Sequence, residues 1–486
     1  METANQIHAS ENLCLAEASG ASRLYENFEI CNAIDPRNYE RANVKRGLRN
    51  SDGTGVMAGI TKISNVHGYI IDEGDQSPCE GRLTLRGYNI YDLVDGAMAD
   101  GRFGFEEIVY LLLSGTLPSA RDLATFNTVL DEYRNLPRNF VNDHILTLPS
   151  YDVMNMLSRS VLHLYACDLT PNATDPKHEV ETALSLISRI PRIAVLSHYS
   201  IQQYYYGGDM VWRQAQTGLS TAETILDALR PSHEYTPDEA HMLDVMLMLQ
   251  AEHGGGNNST FTCRVLTSSG TDPYSAYAGA IGSLKGPKHG GANAKVREMC
   301  LDMEENVADW TDEGQVADYL RKIVRKEAGD RSGLIYGMGH AVYTLSDPRA
   351  RLCHKYASRL AAGTEFEREL KLLENIEKLT PMVMAQEKGT QKVLCANIDL
   401  YTGFVYNMLG IPIQLYTPLF ATARMAGWAA HRFEELVSGK RIIRPAYKSV
   451  TQKNEYVPFS EREGGADPSA DEDTVQARSD SDAIGD

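Results

Sequence analysis

The apolar positions of this chain change period near residue 89. Before that point, residues 49–92 contain Gly53, Gly55, Gly59, Gly68, Gly74, Gly81 and Gly87. Short β-type pieces such as Gly68–Ile71 and Arg82–Leu85 fit between them, which predicts turns and a small sheet. From Asn89 onward the spacing is helical. Ile90, Leu93 and Val94 share one helix face, as do Ile108, Val109, Leu111, Leu112 and Leu113, then Val153, Met156, Leu157 and Val161. Three helix starts are well punctuated. Thr236-Pro237-Asp238-Glu239 combines a capping box with proline at the first helical position and leads into the apolar run Met242–Leu249. Asp272-Pro273 opens a helix rich in small residues (Ala276, Ala278, Gly279, Ala280, Gly282, Ser283), which predicts close packing against a neighbour. Asp347-Pro348 opens a third, carrying Leu352, Tyr356, Leu360 and Ala361. The pattern predicts an all-α, mainly helical protein with a small β element near the N-terminus.

The 486 residues are enough for more than one core, and no apolar run approaches the ~20 residues of a membrane span. Residues 1–30 hold Glu2, Glu11, Glu17 and Glu26 against one basic residue, Arg23, and no apolar stretch. Neither a secretory signal nor an Arg-rich transit peptide fits, so a cytoplasmic protein is expected. Eight cysteines, at 14, 31, 79, 167, 263, 300, 353 and 395, show no metal-ligand spacing and read as reduced, mostly buried thiols. A net charge of −18 excludes the basic footprint that nucleic acid requires. From Glu461 onward nine acidic residues face two basic ones, a local −7, with almost no large apolar residue. Residues 459–486 are therefore expected to form a disordered acidic tail. The rest still carries −11, so an anionic substrate would need its own arginines.

Four polar blocks interrupt the helical pattern. Glu252-His253-Gly254-Gly255-Gly256 ends the run Met242–Leu249; alone it is an ordinary glycine-rich helix end with a histidine. Lys288-His289-Gly290-Gly291 precedes a helical run from Ala292, whose positive end disfavours imidazolium and leaves a neutral His289 as a hydrogen-bond donor. A plain turn histidine is the alternative. Gly337-Met338-Gly339-His340 is followed by Asp347-Pro348-Arg349, where Arg349 falls in a first helical turn, an unfavourable place for a cation unless it faces an anion or a nearby carboxylate. Asn397-Ile398-Asp399 is followed by Ala423-Arg424-Met425-Ala426-Gly427-Trp428, where Arg424 sits among apolar residues and needs a charge partner. Ile443-Arg444-Pro445 closes the series.

Taken in order, with separations of 36 (253 to 289), 51 (289 to 340) and 59 (340 to 399) residues, these blocks resemble the citrate synthase family. Gly47-Leu48-Arg49, Gly59-Ile60-Thr61-Lys62-Ile63 and Arg86-Gly87-Tyr88 resemble its N-terminal segment, so the likeness covers roughly 47–458. It implies a two-domain helical fold with the active site in the cleft between the domains. The expected parts are an N-terminal arm (1–46), a large domain (47–291 and 404–458) and a small domain (292–403).

The resemblance also implies roles. Asp399 matches the base that removes a proton from the acetyl thioester, His289 the donor to its carbonyl, and His340 the histidine that polarises the 2-oxo carbonyl. His253, Arg349, Arg424 and Arg444 match the carboxylate binders for oxaloacetate. Ile335, Gly337, Met338, Gly339 and Asn397 match the segments contacting CoA. Arg444 would reach the site of a partner subunit, implying a homodimer. No metal and no cofactor are implied, acetyl-CoA being a substrate. Two departures from the family stand out: many relatives carry a basic residue shortly after the histidine matching His340, where this chain reads Ala341, Val342, Tyr343, Thr344, and Ala446 follows Arg444-Pro445 in place of a second cation. The expected activity is that of a citrate synthase at the entry of the tricarboxylic acid cycle, the alternatives being a 2-methylcitrate synthase using propionyl-CoA and a non-catalytic helical scaffold.

Overall fold

The computed structural model describes residues 28–462, except 51–53, 73–74, 341, 390–392 and 452. It divides into two units. One comprises Met1–Val56 and Arg444–Asp486; its described part holds two short helices, Phe28–Asn32 and Arg37–Arg41, and 3-10 turns at Arg46–Leu48 and Phe459–Glu461. Residues 1–27 of the expected arm and 463–486 of the expected acidic tail lie outside the described residues.

The second unit, Met57–Ile443, starts with an antiparallel sheet in the order β1 (Ser64–Asp72), β2 (Asp75–Leu85), β3 (Tyr88–Asn89). The strands run beyond the two pieces expected from sequence, because Pro78, Glu80 and Gly81 are tolerated in a short ribbon whose register shifts at Gly68, between His67 and Tyr69. The rest is helical: α1 (Ile90–Ala99), α2 (Phe105–Ser114), α3 (Ala120–Tyr133), α4 (Val153–Tyr165), α5 (Pro176–Tyr206), α6 (Thr221–Leu229), α7 (Pro237–Gln250), α8 (Asn258–Ser268), α9 (Pro273–Lys285), α10 (Ala292–Asn306), α11 (Glu313–Val324), α12 (Pro348–Ala361), α13 (Glu367–Lys388), α14 (Asp399–Met408) and α15 (Tyr416–Ser438).

The punctuated starts form as their side chains dictate. Thr236 Oγ1 accepts from the Glu239 amide while the Glu239 carboxylate accepts from the Thr236 amide, and Asp272 and Asp347 cap α9 and α12. Helix α7 is buried from Met242 to Gln250, and α15 from Pro418 to Arg432. Helices apolar on every side belong inside a core, and these two pack on each other. The small-residue helix α9 packs on α4 and α8, the close approach its composition predicts. Cys263, Cys300, Cys353 and Cys395 are buried as expected, whereas Cys31 and Cys167 are exposed and Cys79 is half-buried; Cys14 lies outside the described residues. Among the described residues no helix is long and apolar enough to cross a membrane.

Candidate active site

Helix α7 delivers His253. The chain leaves α7 at Ala251 and turns at Gly254, whose φ of 91° favours glycine. Glu252, fully buried, ties this turn down through one oxygen: Oε1 accepts from the Gly254 amide (2.6 Å), Ser64 Oγ (2.8 Å) and His431 Nε2 (2.9 Å). With His431 and Arg424 beside it, the Glu252 carboxyl is held down at about 2 despite its burial. His253 Nε2 lies 3.2 Å from the Tyr343 hydroxyl, and its ring meets that of His340 edge-on, 5.4 Å between centroids. Burial, followed by the charge of Arg349, keeps His253 neutral, well below the usual imidazole range.

His289 stands in the turn between α9 and α10. Its Nε2 accepts from the Ser259 amide (3.4 Å) and lies 3.0 Å from Ser259 Oγ. Trp428 Nε1 of α15 donates to the same hydroxyl (3.2 Å), whose single hydrogen has two acceptors in reach, His289 Nε2 and Asn257 Oδ1 (2.9 Å). An amide hydrogen on Nε2 requires a lone pair there, so the ring proton of neutral His289 resides on Nδ1. Its pKa is lowered to about 4, first by burial and then by Arg424. The neutrality expected from sequence holds, with desolvation and the neighbouring Arg424 guanidinium both favouring it.

His340 shows the opposite tautomer. Its Nδ1 accepts from the amides of Val342 and Tyr343, both at 2.9 Å, which places the proton of the neutral ring on Nε2. The loop leading to it depends on two glycines at positive φ, Gly337 (81°) and Gly339 (92°); a Cβ at Gly337 would stand 2.9 Å from the Leu400 Cα. Asn397 joins this loop to the base candidate: its Nδ2 donates to Gly339 O (2.9 Å) and its Oδ1 accepts from the Asp399 amide (3.0 Å). Backbone bonds Gly339 N to Cys395 O (2.8 Å) and Asn397 N to Gly337 O (2.9 Å) complete the clasp. Asp399 is the first residue of α14. Burial raises its carboxyl to about 6 against the opposing pull of Arg349 and Arg424.

The two buried arginines differ. Arg349, on the first turn of α12, is satisfied within the protein: Nε and Nη2 donate to the two Asp347 oxygens at 3.1 and 2.8 Å. That carboxylate explains a cation at a helix N-terminus. Arg424, with none of its surface exposed, donates Nε to Gln250 O (2.8 Å), and its Nη1 and Nη2 are buried without a hydrogen-bond partner among the described residues. Its guanidinium lies over the Phe420 ring at 4.8 Å. Burial lowers its pKa to about 10, so it stays charged at neutral pH. A buried guanidinium fork with two unmade bonds is a receptor for a carboxylate.

His253, His289, Arg349 and Arg424 thus influence one another electrostatically, and Asp399 is within reach of both arginines. Ile335 is buried, Met338 bridges to Ala396 through its backbone, and both polar ends of the Asn397 amide are used within the protein. Arg444 is exposed and belongs to the other unit. Sequence reading missed Ser259, Glu252, His431, Trp428 and Tyr343. Glu252 and Trp428 adjoin recognised motifs; Tyr343 was legible only as one residue of the stretch 341–344, which holds no cation.

The chain matches the family described as "Citrate synthase, C-terminal domain" over residues 51–446. It is 32% identical to a 2-methylcitrate synthase of Corynebacterium glutamicum, covering 87% of this chain and 99% of that protein. A citrate synthase of Synechocystis is also 32% identical, over 84% and 92%. Among solved structures, a ternary complex of carboxymethyl coenzyme A and oxaloacetate with citrate synthase from Thermoplasma acidophilum is similar with a TM-score of 0.68 at 25% identity, over 86% of this chain and 99% of that one. A citrate synthase of Thermotoga maritima gives 0.67 at 26%, over 87% and 100%. With its mainly helical architecture and small N-terminal sheet, the chain belongs to the citrate synthase family of acyltransferases.

Proposed function

We propose that the chain is a citrate synthase, condensing acetyl-CoA with oxaloacetate and hydrolysing the resulting thioester to citrate and CoA. One observation carries the reading: the two histidines hold opposite tautomers, each fixed by backbone amides, and a carboxyl raised to about 6 shares the Arg424 charge with His289. Asp399 takes a proton from the methyl group of the thioester. The developing enolate oxygen accepts from His289 Nδ1–H, which costs no reorganisation because the ring is already oriented. The nucleophilic carbon attacks the ketone of oxaloacetate, whose oxygen receives a hydrogen bond and then the proton from His340 Nε2. Water finally cleaves the thioester. Arg424, Arg349 and His253 bind the dianion, Arg424 supplying its two open donors. Ile335, Gly337, Met338, Gly339 and Asn397 are assigned to CoA, and residues 292–403 to a small domain that closes on both substrates. By family resemblance Arg444 serves the partner subunit's site in a cytoplasmic homodimer.

A second reading has its own support, because relatives of comparable identity are 2-methylcitrate synthases. One extra methylene in an apolar pocket changes selectivity by only about 1–3 kcal/mol. The deciding experiment is kcat/KM for acetyl-CoA against propionyl-CoA with oxaloacetate. A ratio above ten in favour of acetyl-CoA supports the citrate synthase, and the reverse ratio the 2-methylcitrate synthase.

A further inference from the structure

Tyr343 touches three residues of the oxaloacetate half of the site. Its ring centroid lies 4.6 Å from that of His340, with 31° between the planes, and 5.5 Å from that of His253. The Arg349 guanidinium sits 6.0 Å from the same ring. Its hydroxyl is 3.2 Å from His253 Nε2 and its amide donates to His340 Nδ1 at 2.9 Å. Only 3% of the residue is exposed.

The β1–β2 ribbon holds Tyr343 from behind. A Cβ at Gly68, where the register shifts, would stand 2.6 Å from the Tyr343 Cα, and one at Gly81 would stand 2.7 Å from its ring. Neither glycine is at positive φ, so close approach explains both. Next in sequence, Thr344 Oγ1 donates to the carbonyls of Gly68 and Cys79 and accepts from the Cys79 amide. Thr344 thereby latches the residue beside it onto the ribbon.

We propose that Tyr343 is a positioning residue for the 2-oxo acid: through its hydroxyl it fixes the tautomer of His253, and through its ring it sets the spacing of His253, His340 and Arg349. The inference rests on the oxaloacetate reading above. Burial keeps the phenol protonated far past its ordinary value; as the donor to Nε2, 3.2 Å away, it leaves the His253 proton on Nδ1. The charged and titratable groups facing His253 are Arg349 on α12, Arg424 on α15, and His340 and His289 on their loops. All four oppose a positive charge on it, and the phenol hydrogen bond acts in the same direction.

The test is calorimetric binding of oxaloacetate to the full-length protein, without thioester, from pH 5.5 to 8. Tyr343→Phe removes one oxygen and keeps the ring. It is expected to raise Kd about tenfold and to introduce an ionisation below pH 7, as His253 loses its donor and binding tightens towards acid. KM for the thioester should change less than twofold. A purely structural tyrosine would lower Tm without changing the pH dependence. Kd within twofold of the unchanged protein, with the same pH dependence, overturns the proposal. Should Tyr343→Phe fail to fold, trifluorotyrosine at 343 keeps the shape with a stronger donor; it should move the pH dependence of Kd, and no movement overturns the proposal. If the unsubstituted protein does not bind oxaloacetate, the functional reading fails, and this inference with it. Binding by the unsubstituted protein and equally by Tyr343→Phe sinks this inference alone.

Discussion

Replacing Arg424 by leucine separates substrate binding from stability. The guanidinium has none of its surface exposed, makes one bond to Gln250 O and leaves Nη1 and Nη2 without a hydrogen-bond partner among the described residues. Two charge-assisted bonds to a substrate carboxylate contribute about 1.5–3 kcal/mol each, or about 3–6 kcal/mol together. At about 1.4 kcal/mol per decade, Arg424→Leu should weaken oxaloacetate binding by at least about a hundredfold. The same change takes a cation away from the buried Glu252 carboxylate and orphans one carbonyl at about 1–3 kcal/mol. The ligand-free Tm should therefore fall by a few degrees, while the rise in Tm that oxaloacetate gives the unsubstituted protein disappears. Calorimetric titration and thermal unfolding read both effects. Binding within threefold of the unsubstituted protein would refute the carboxylate assignment. A large drop in the ligand-free Tm would show that the guanidinium is satisfied within the fold.

Ser259→Ala removes the hydroxyl shared by His289 and Trp428 but keeps the amide on Nε2. It should lower kcat roughly tenfold and leave the Kd for oxaloacetate within twofold, measured by steady-state kinetics and calorimetry; equal losses in both would place Ser259 in substrate binding. Asp399 works as a base only when ionised, and burial raises it to about 6, so kcat/KM should fall as pH drops through about 6. His289, lowered to about 4, stays neutral across that range and adds no limb. A pH–rate profile flat between 5 and 7 would contradict the assignment of the base.

Much of the fold was legible because its signals are local. Thr236, Asp272 and Asp347 cap their helices with their own side chains, and the apolar run of α7, interrupted only by Asp244, reads as a core helix. The Gly-rich settings of His253, His289 and His340 marked the site for the same reason, since chain reversals show in the sequence around them. What stayed hidden is long-range. Arg424, which helps to keep His289 neutral, stands more than a hundred residues away in sequence. The partner expected for Arg424 is not a hydrogen-bonded carboxylate; Glu252 lies across Gly427, where a Cβ would meet its Oε2 at 2.3 Å. Tyr343 acquires its place from a β ribbon more than two hundred and fifty residues away in sequence, which no local pattern encodes.

The central claim is that Asp399, His289 and His340 carry out an enolisation and condensation. Thiol release from acetyl-CoA and from propionyl-CoA, each with oxaloacetate, tests it most directly in the unsubstituted protein and in Asp399→Ala. Release should require both substrates and fall by at least about a thousandfold in the variant, while oxaloacetate binding persists. No release from either thioester by the pure protein, or undiminished release by Asp399→Ala, would contradict it.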